Sequence, residues 1–266
     1  MPAPAPVPDP ALPDLSGTVT LVTGAGGGIG AGIAERFAAA GAAVVAHHRG
    51  GTGPAAAKAA RVVDRIVEQG GRAVTARADV TDPDACAALV NVAFARFGRL
   101  DAVVACAGVQ PVTPLTGLDQ AGWREVVDAN AAGSFATLQA AAARLRGGGG
   151  SITLIASIEG TRPAAGHAHY AASKAAVIML ARAAALEYGP SGVRVNSVSP
   201  GLVDRAGLES DWADGVARWR GRAPLGRMGE PCDVGDACVF LASPMARWIT
   251  GHDLVVDGGM SAVPGW

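Results

Sequence analysis

The sequence predicts an α/β protein built on one doubly wound, seven-stranded parallel sheet with helices on both faces. Three observations predict it. Short apolar runs alternate with longer stretches of helical period along almost the whole chain, the pattern of successive βαβ units. The first apolar run leads into a glycine-rich turn that opens a helix, Thr23-Gly24-Ala25-Gly26-Gly27-Gly28-Ile29-Gly30. The 266 residues, 50% hydrophobic and 17% charged, suffice for one continuous core, and no linker-like stretch divides them.

Thr18–Thr23 reads as the first strand and Gly28–Ala40 as a helix closed by Gly41. Ala43–His47 is the second strand, Pro54–Gln69 a helix and Arg72–Arg77 the third strand. The helix Asp82–Phe97 takes Thr81 or Asp82 as its N-cap, because a short polar side chain can accept from the first free amides. Asp101–Cys106 is the fourth strand, and Asp119–Arg146 is one long helix that ends in the C-cap and loop of Gly147–Gly150. Ser151–Ser157 is strand five, His167–Tyr188 a helix, Val193–Ser199 strand six, Pro231–Ser243 a helix and Leu254–Asp257 the last strand. Residues 1–15 alternate Pro with Ala and read as a disordered, polyproline-like tail, leaving 16–266 as a single domain. Residues 201–228 are too long for an ordinary connection. They carry Trp212 and Trp219 among Arg205, Arg218, Arg220 and Arg222, either as an amphipathic surface helix or as an aromatic lid over a pocket.

Composition excludes several function classes. A net charge of −1, from 22 basic and 23 acidic residues, makes no electrostatic case for nucleic acid or an anionic membrane. No apolar run reaches the roughly 18 residues of a membrane span, and the best candidate, Val177–Leu186, contains Arg182. The N-terminus has neither the basic nor the apolar region of a secretory signal, so a cytoplasmic location is expected. Cys86, Cys106, Cys232 and Cys238 form no C-x-x-C pair and no metal-ligand spacing with the histidines, and read as small buried fillers. His167 and His169 lack a third ligand in register, so no metal is expected.

Glycines between a strand and a helix let the backbone turn tightly, approach a pyrophosphate and present helix N-terminal amides, which makes Gly24, Gly26, Gly28, Ile29 and Gly30 dinucleotide-binding candidates. Tyr170 and Lys174 are i and i+4 on a helix and share a face. A tyrosine with a pKa of about 10 is a poor base at neutral pH. A nearby ammonium is expected to lower it toward the working range, so that Tyr170 exchanges a proton with a carbonyl or alcohol oxygen. Ser157, at the carboxyl edge of strand five, can hold the same oxygen. Only Lys58 and Lys174 among the basic residues are lysines, which counts against an ordinary surface pair at Tyr170/Lys174.

In order and spacing these motifs resemble the short-chain dehydrogenase/reductase family, in its single-domain branch of 3-oxoacyl-(acyl carrier protein) reductase-like and ketoreductase-like members. The resemblance rests on T-G-x-x-x-G-x-G at Thr23–Gly30, Asp79-Val80, Asn130-Ala131-Ala132-Gly133, Ser157 thirteen residues before Tyr170, Tyr170-Ala171-Ala172-Ser173-Lys174, Pro200-Gly201, and Thr250-Gly251 with Val256-Asp257-Gly258-Gly259. It covers residues 16 to 260 and implies a Rossmann-like fold. It also implies a catalytic set of Ser157, Tyr170, Lys174 and Asn130, with Lys174 on the nicotinamide ribose and Asn130 holding a relay water. By the same resemblance Asp79, Val80, Ala107, Gly108, Pro200, Gly201 and Val203 contact the cofactor. The family's usual N-N-A-G is here Ala105-Cys106-Ala107-Gly108, which leaves Cys106 a structural role, and Arg205 stands where a Thr often meets the carboxamide.

Cofactor choice turns on His47-His48-Arg49-Gly50. NAD-dependent members carry an acid at the position of His48, whereas His48 and Arg49 suit a 2′-phosphate, so NADP(H) is favoured over NAD(H). Gly27 occupies the turn position where many NADP-type relatives have a second basic residue. Gln110, Glu159, His167 and Trp212 are substrate-pocket candidates. The resulting expectation is an NADPH-dependent carbonyl reductase, reversible as an alcohol dehydrogenase. A non-catalytic dinucleotide sensor or scaffold, an NAD-dependent dehydrogenase, and an epimerase or dehydratase are the alternatives. The resemblance implies a homotetramer or homodimer, which the small residues Ala171, Ala172, Ala175, Ala176, Ala183 and Ala184 on one helix would suit.

Overall fold

The computed structural model describes residues 11–50 and 54–264. Its strands are Val19–Val22 (β1), Ala43–His48 (β2), Ala73–Arg77 (β3), Ala102–Ala105 (β4), Gly150–Ile155 (β5), Val193–Pro200 (β6) and Asp253–Val256 (β7). They form one sheet in the order β3-β2-β1-β4-β5-β6-β7, and every neighbouring pair is parallel. The order reverses between β1 and β4, the place where open α/β sheets leave a crevice at their carboxyl edge.

The helices are Gly28–Ala39 (α1), Pro54–Glu68 (α2), Pro83–Phe97 (α3), Gln120–Val127 (α4), Gly133–Leu145 (α5), Ala168–Tyr188 (α6), Leu208–Asp211 (α7), Ala213–Arg222 (α8) and Pro231–Ala242 (α9). Alternate strand residues feed two cores. Leu21, Val45, Val103, Ile152 and Leu154 pack with α3, α5 and α6 on one face. Val22, Val44, Val104, Ile155 and Val198 pack with α1, α2 and α9 on the other. Burial on both faces explains why these strands read as continuous apolar runs. Helices α1 and α9 approach closely because Gly32 has no Cβ, which would otherwise strike Pro231. Asp82 caps α3 through its carboxylate, accepting from the Asp84 and Ala85 amides. Among the described residues no helix is long and apolar enough to cross a membrane.

The structure corrects the sequence reading in two places. The single helix expected over 119–146 is two, joined by a π-helical segment, Asp128–Ala132, with the buried Asn130 at its centre. Asn130 turns inward there to bond Val109 and Ser173, and such widened turns serve polar sites. The expected tail 1–15 lies outside the described residues up to position 10, but Leu15 is buried and its amide donates to the Ala40 carbonyl at 2.7 Å. Hydrophobic burial therefore holds the chain before residue 16. Residues 201–228, expected as an amphipathic surface helix or an aromatic lid, do include a surface helix. They contain α7 and α8 and are pinned at their base, where Asp204 N–H donates to Gly229 O and Gly229 N–H to Leu202 O.

Candidate active site

The glycine turn sits on the crevice at the order reversal. Gly24 takes φ +70°, and a Cβ there would lie 2.9 Å from Ala107 Cα, so glycine alone lets the turn lie against the end of β4. Thr23 ties the two together, its Oγ1 accepting from the Cys106 and Ala107 amides at 2.9 and 3.0 Å. His47 ties the turn to β3, its Nδ1 accepting from Gly24 N–H at 3.1 Å and its Nε2 meeting Ala78 O at 3.1 Å. Burial pushes the His47 pKa down, which keeps the ring neutral and fit for both bonds. No side chain caps α1 and its first turn holds no acid, leaving its positive end for a phosphate. This cradle fits a dinucleotide: Gly24, Gly26, Gly28, Ile29 and Gly30 can hold the pyrophosphate, with Ala107 and Gly108 beside them.

At the end of β2, His48 is half-buried and its Nδ1 is buried without a hydrogen-bond partner among the described residues. Arg49 is exposed and pairs with Asp79 at 3.3 Å. Asp79 itself is bonded by the Thr81 hydroxyl and amide, which chiefly hold its pKa below the usual range. Arg77, which the sequence reading missed, stands in register with His48 across β2 and β3. Its side chain runs so closely past Gly50 that a Cβ there would strike Arg77 Nε. Three basic side chains thus surround one corner of the crevice, and the signal was hidden because strand register brings together residues 27 to 29 positions apart.

Tyr170 and Lys174 do lie on one face of α6, with Lys174 Nζ 5.6 Å from the centre of the Tyr170 ring. Lys174 is 5% exposed and donates to Ile155 O at 2.8 Å. Its burial lowers its pKa to about 8. The expected lowering of the Tyr170 pKa is corrected: burial raises it to about 12, a hydrogen bond with Ser157 opposes this, and Glu159 and Cys106 add to the rise. The cost of a buried phenolate outweighs what a lysine at this distance supplies. The resting phenol is therefore neutral and a proton donor. Ser157, buried at the end of β5, also accepts from the Glu159 amide at 3.1 Å.

Both Asn130 amide hydrogens are used within the protein, and its Oδ1 accepts from Val109 while its main-chain carbonyl accepts from Ser134 Oγ at 2.6 Å, so the relay water implied for it would have to be a donor to one of these two oxygens. Gly108 must be glycine because a Cβ would come 2.7 Å from Asn130 Oδ1. Cys106 is half-buried, and desolvation of its thiol raises its pKa to about 11, as suits an unreactive residue.

Three of the four pocket candidates converge. Gln110 Nε2 donates to Glu159 Oε1 at 3.1 Å, and His167 Nδ1 meets Glu159 Oε2 at 2.8 Å. The His167 ring stands edge-on to Tyr170 with centroids 6.1 Å apart. Trp212 does not join them. It is 50% exposed and packs across Gly215 at the start of α8, with the Arg218 guanidinium 5.9 Å from its ring. The tryptophan of 201–228 that packs against the sheet edge is Trp219, whose ring would lie 2.8 Å from a Cβ at Gly201. Val203 bridges to Gly229, and Arg205 is engaged with Asp211 at 2.9 Å.

A family model described as enoyl-(acyl carrier protein) reductase matches residues 24–261. The chain is 41% identical to the cis-4-hydroxycyclohexanecarboxylate dehydrogenase of Sinomonas cyclohexanicum, over 92% of this chain and 97% of that one. It is 38% identical to the L-rhamnose 1-dehydrogenase (NAD(P)(+)) of Azotobacter vinelandii, over 90% and 95%. With the 3beta-hydroxysteroid dehydrogenase 1 of Eggerthella lenta it shares 37%, over 95% and 97%. Among solved structures it is similar to a 7α-hydroxysteroid dehydrogenase in complex with NADH and 7-oxo glycochenodeoxycholic acid. The TM-score is 0.86 at 34% identity, covering 92% of this chain and 95% of that one.

Proposed function

Because this chain belongs to the short-chain dehydrogenase/reductase family, we propose that it reduces a ketone to a secondary alcohol with NADPH and runs the reverse oxidation on the same site. It is an NAD(P)-dependent oxidoreductase acting on CH–OH groups. The observation that carries the ketone-reducing reading is the Tyr170 phenol, kept neutral by burial, with Lys174 Nζ 5.6 Å from its ring centre and Ser157 buried at the end of β5. When bound, the nicotinamide supplies the hydride-accepting or hydride-donating carbon. Ser157 holds the substrate oxygen, and Tyr170 gives it a proton as the C–H bond forms. In oxidation Tyr170 must first lose its own proton, and the phenolate then takes the hydroxyl proton as the C–H bond breaks. Lys174 keeps a positive charge beside the phenol when the proton has left.

The NADPH preference is supported by His48 and Arg49 at the end of β2 and Arg77 at the end of β3, where a 2′-phosphate would find guanidinium groups. The test is loss of the near-ultraviolet absorbance of NADPH with a panel of ketones, repeated with NADH. Turnover of none of them with either cofactor overturns the reading.

A homotetramer is the proposed assembly. Of the six small residues on α6, Ala171 and Ala184 serve the monomer core, while Ala172, Ala175, Ala176 and Ala183 are exposed. They lie with exposed Met179, and exposed Phe135 adds an apolar side chain on α5. Met245, Trp248 and, on β7, Val255 are further exposed apolar side chains near the C-terminal end of the chain. These two sets of exposed apolar side chains suit two interfaces, and a monomer mass by light scattering overturns the assembly.

A further inference from the structure

We propose that Glu159, held between Gln110 and His167, is the specificity-determining residue of this site and accepts a hydrogen bond from a second hydroxyl on the carbon next to the reacting one. The substrate class is then a vicinal diol or polyol, or the matching α-hydroxy ketone. The inference rests on Ser157, Tyr170 and Lys174 being the reacting centre.

Two connections contribute to the group: Gln110 lies in the one after β4, and Glu159 and His167 lie at the two ends of the one between β5 and α6. All three lie at the carboxyl edge of the sheet. Each Glu159 oxygen already has one partner, Gln110 Nε2 at 3.1 Å and His167 Nδ1 at 2.8 Å, so the carboxylate is fixed at both ends. An ionised carboxylate only accepts, at about four lone-pair sites, which leaves acceptor capacity over. A His167 ring that gives its Nδ1 proton to Glu159 is, when neutral, an acceptor at Nε2 as well. The wall thus offers acceptors and asks the ligand for donors.

Its position says where that donor sits. The Glu159 amide bonds Ser157 Oγ, and the His167 ring is 6.1 Å from that of Tyr170. The charge on Glu159 is felt at the Tyr170 phenol, which it pushes toward the neutral form. A group meeting Glu159 is therefore close to the oxygen that Ser157 and Tyr170 would hold. A ketone with only hydrocarbon there would dry these acceptors without replacing their water, a large penalty at a site built for hydrogen bonds.

The test uses the full chain and matched pairs with and without the neighbouring hydroxyl: 2-hydroxycyclohexanone against cyclohexanone, hydroxyacetone against acetone, and the corresponding alcohols in the reverse direction. The wild type is expected to favour the hydroxylated member by about tenfold or more in kcat/KM. Glu159→Leu is expected to collapse that ratio to about threefold or less, mainly through KM for the hydroxylated member. Glu159→Gln keeps the shape and one acceptor, and is expected to give an intermediate ratio should the leucine variant not fold. No preference in the wild type, or a preference that survives both substitutions, overturns the inference while leaving the oxidoreductase reading intact. Absence of turnover with every pair and both cofactors overturns the two together.

Discussion

The Asn130 side chain closes on both main-chain polar groups of Val109: its Oδ1 accepts from the Val109 N–H at 2.8 Å and its Nδ2 donates to the Val109 C=O at 2.9 Å. The second amide hydrogen goes to Ser173 Oγ at 3.0 Å. One buried carboxamide thus joins the segment after β4 to α6, three residues from Tyr170. The π-helical segment is what turns Asn130 inward, so that a strained-looking irregularity in a helix secures the connection that carries Gln110.

Asn130→Ala should therefore act first on stability. It leaves the half-buried Val109 amide and carbonyl without their side-chain partner, a loss of about 1–3 kcal/mol. Asn130→Asp should be no milder, because a carboxylate faces the Val109 carbonyl where an N–H stood. Urea denaturation followed by circular dichroism measures both. A loss below about 0.5 kcal/mol in each would mean that the clamp does not hold the site together.

Tyr170→Phe removes the transferable proton and keeps the ring. It should bind NADPH as the wild type does and lose about a hundredfold or more in kcat. Residual kcat above about a tenth of wild type corresponds to under about 1.4 kcal/mol, too little for a group that moves the proton.

Lys174 gives the pH dependence a sign. Burial sets its pKa at about 8, so it is charged below that value and neutral above. Ketone-reducing kcat/KM should be level on the acid side of about 8 and fall as the pH rises through it. Lys174→Arg stays charged, so that fall should move upward even if the rate drops. Stability carries a matching signature. Between about 8 and the ordinary 10.5 the unfolded chain holds a proton on this lysine that the folded chain lacks, so folding is favoured by rising pH over that window. Lys174→Met should lack that slope in denaturation measured across it.

Much of this was legible in the sequence because the signals were local. Parallel strands covered on both faces read as apolar runs, and all seven strands came out within a residue or two of their ends. The glycine turn, the Ser157 spacing and the Tyr170/Lys174 face are likewise short-range. What escaped depends on three-dimensional neighbours. A single widened turn at Asn130 leaves no mark in a helical period, and the rise of the Tyr170 pKa to about 12 comes from burial that no spacing reports. Choosing Trp219 over Trp212 needed the packing at Gly201, which lies eighteen residues away in the chain. Arg77 needed the register of two strands.

That register makes cofactor choice the sharpest test. The 2′-phosphate of NADPH would meet Arg49 and Arg77 beside His48, whose buried Nδ1 has no partner among the described residues. The Arg49–Asp79 pair is exposed at 3.3 Å, and such pairs are weak enough to yield to a dianion. Each charge-assisted contact to phosphate contributes about 1.5–3 kcal/mol, so NADPH should bind roughly ten- to a hundredfold more tightly than NADH. Arg77→Gln should cut that ratio by about tenfold, and added salt should cut it further by screening exposed charges. A merely structural arginine would instead weaken both cofactors together. His48→Asp with Arg49→Gln should reverse the order, since a carboxylate accepts from a ribose hydroxyl and repels phosphate. Titration of each variant with both reduced cofactors, followed by protein fluorescence, separates these outcomes. If the wild type binds NADH more tightly, the absence of a basic residue at Gly27 governs the choice, and the two arginines are surface groups.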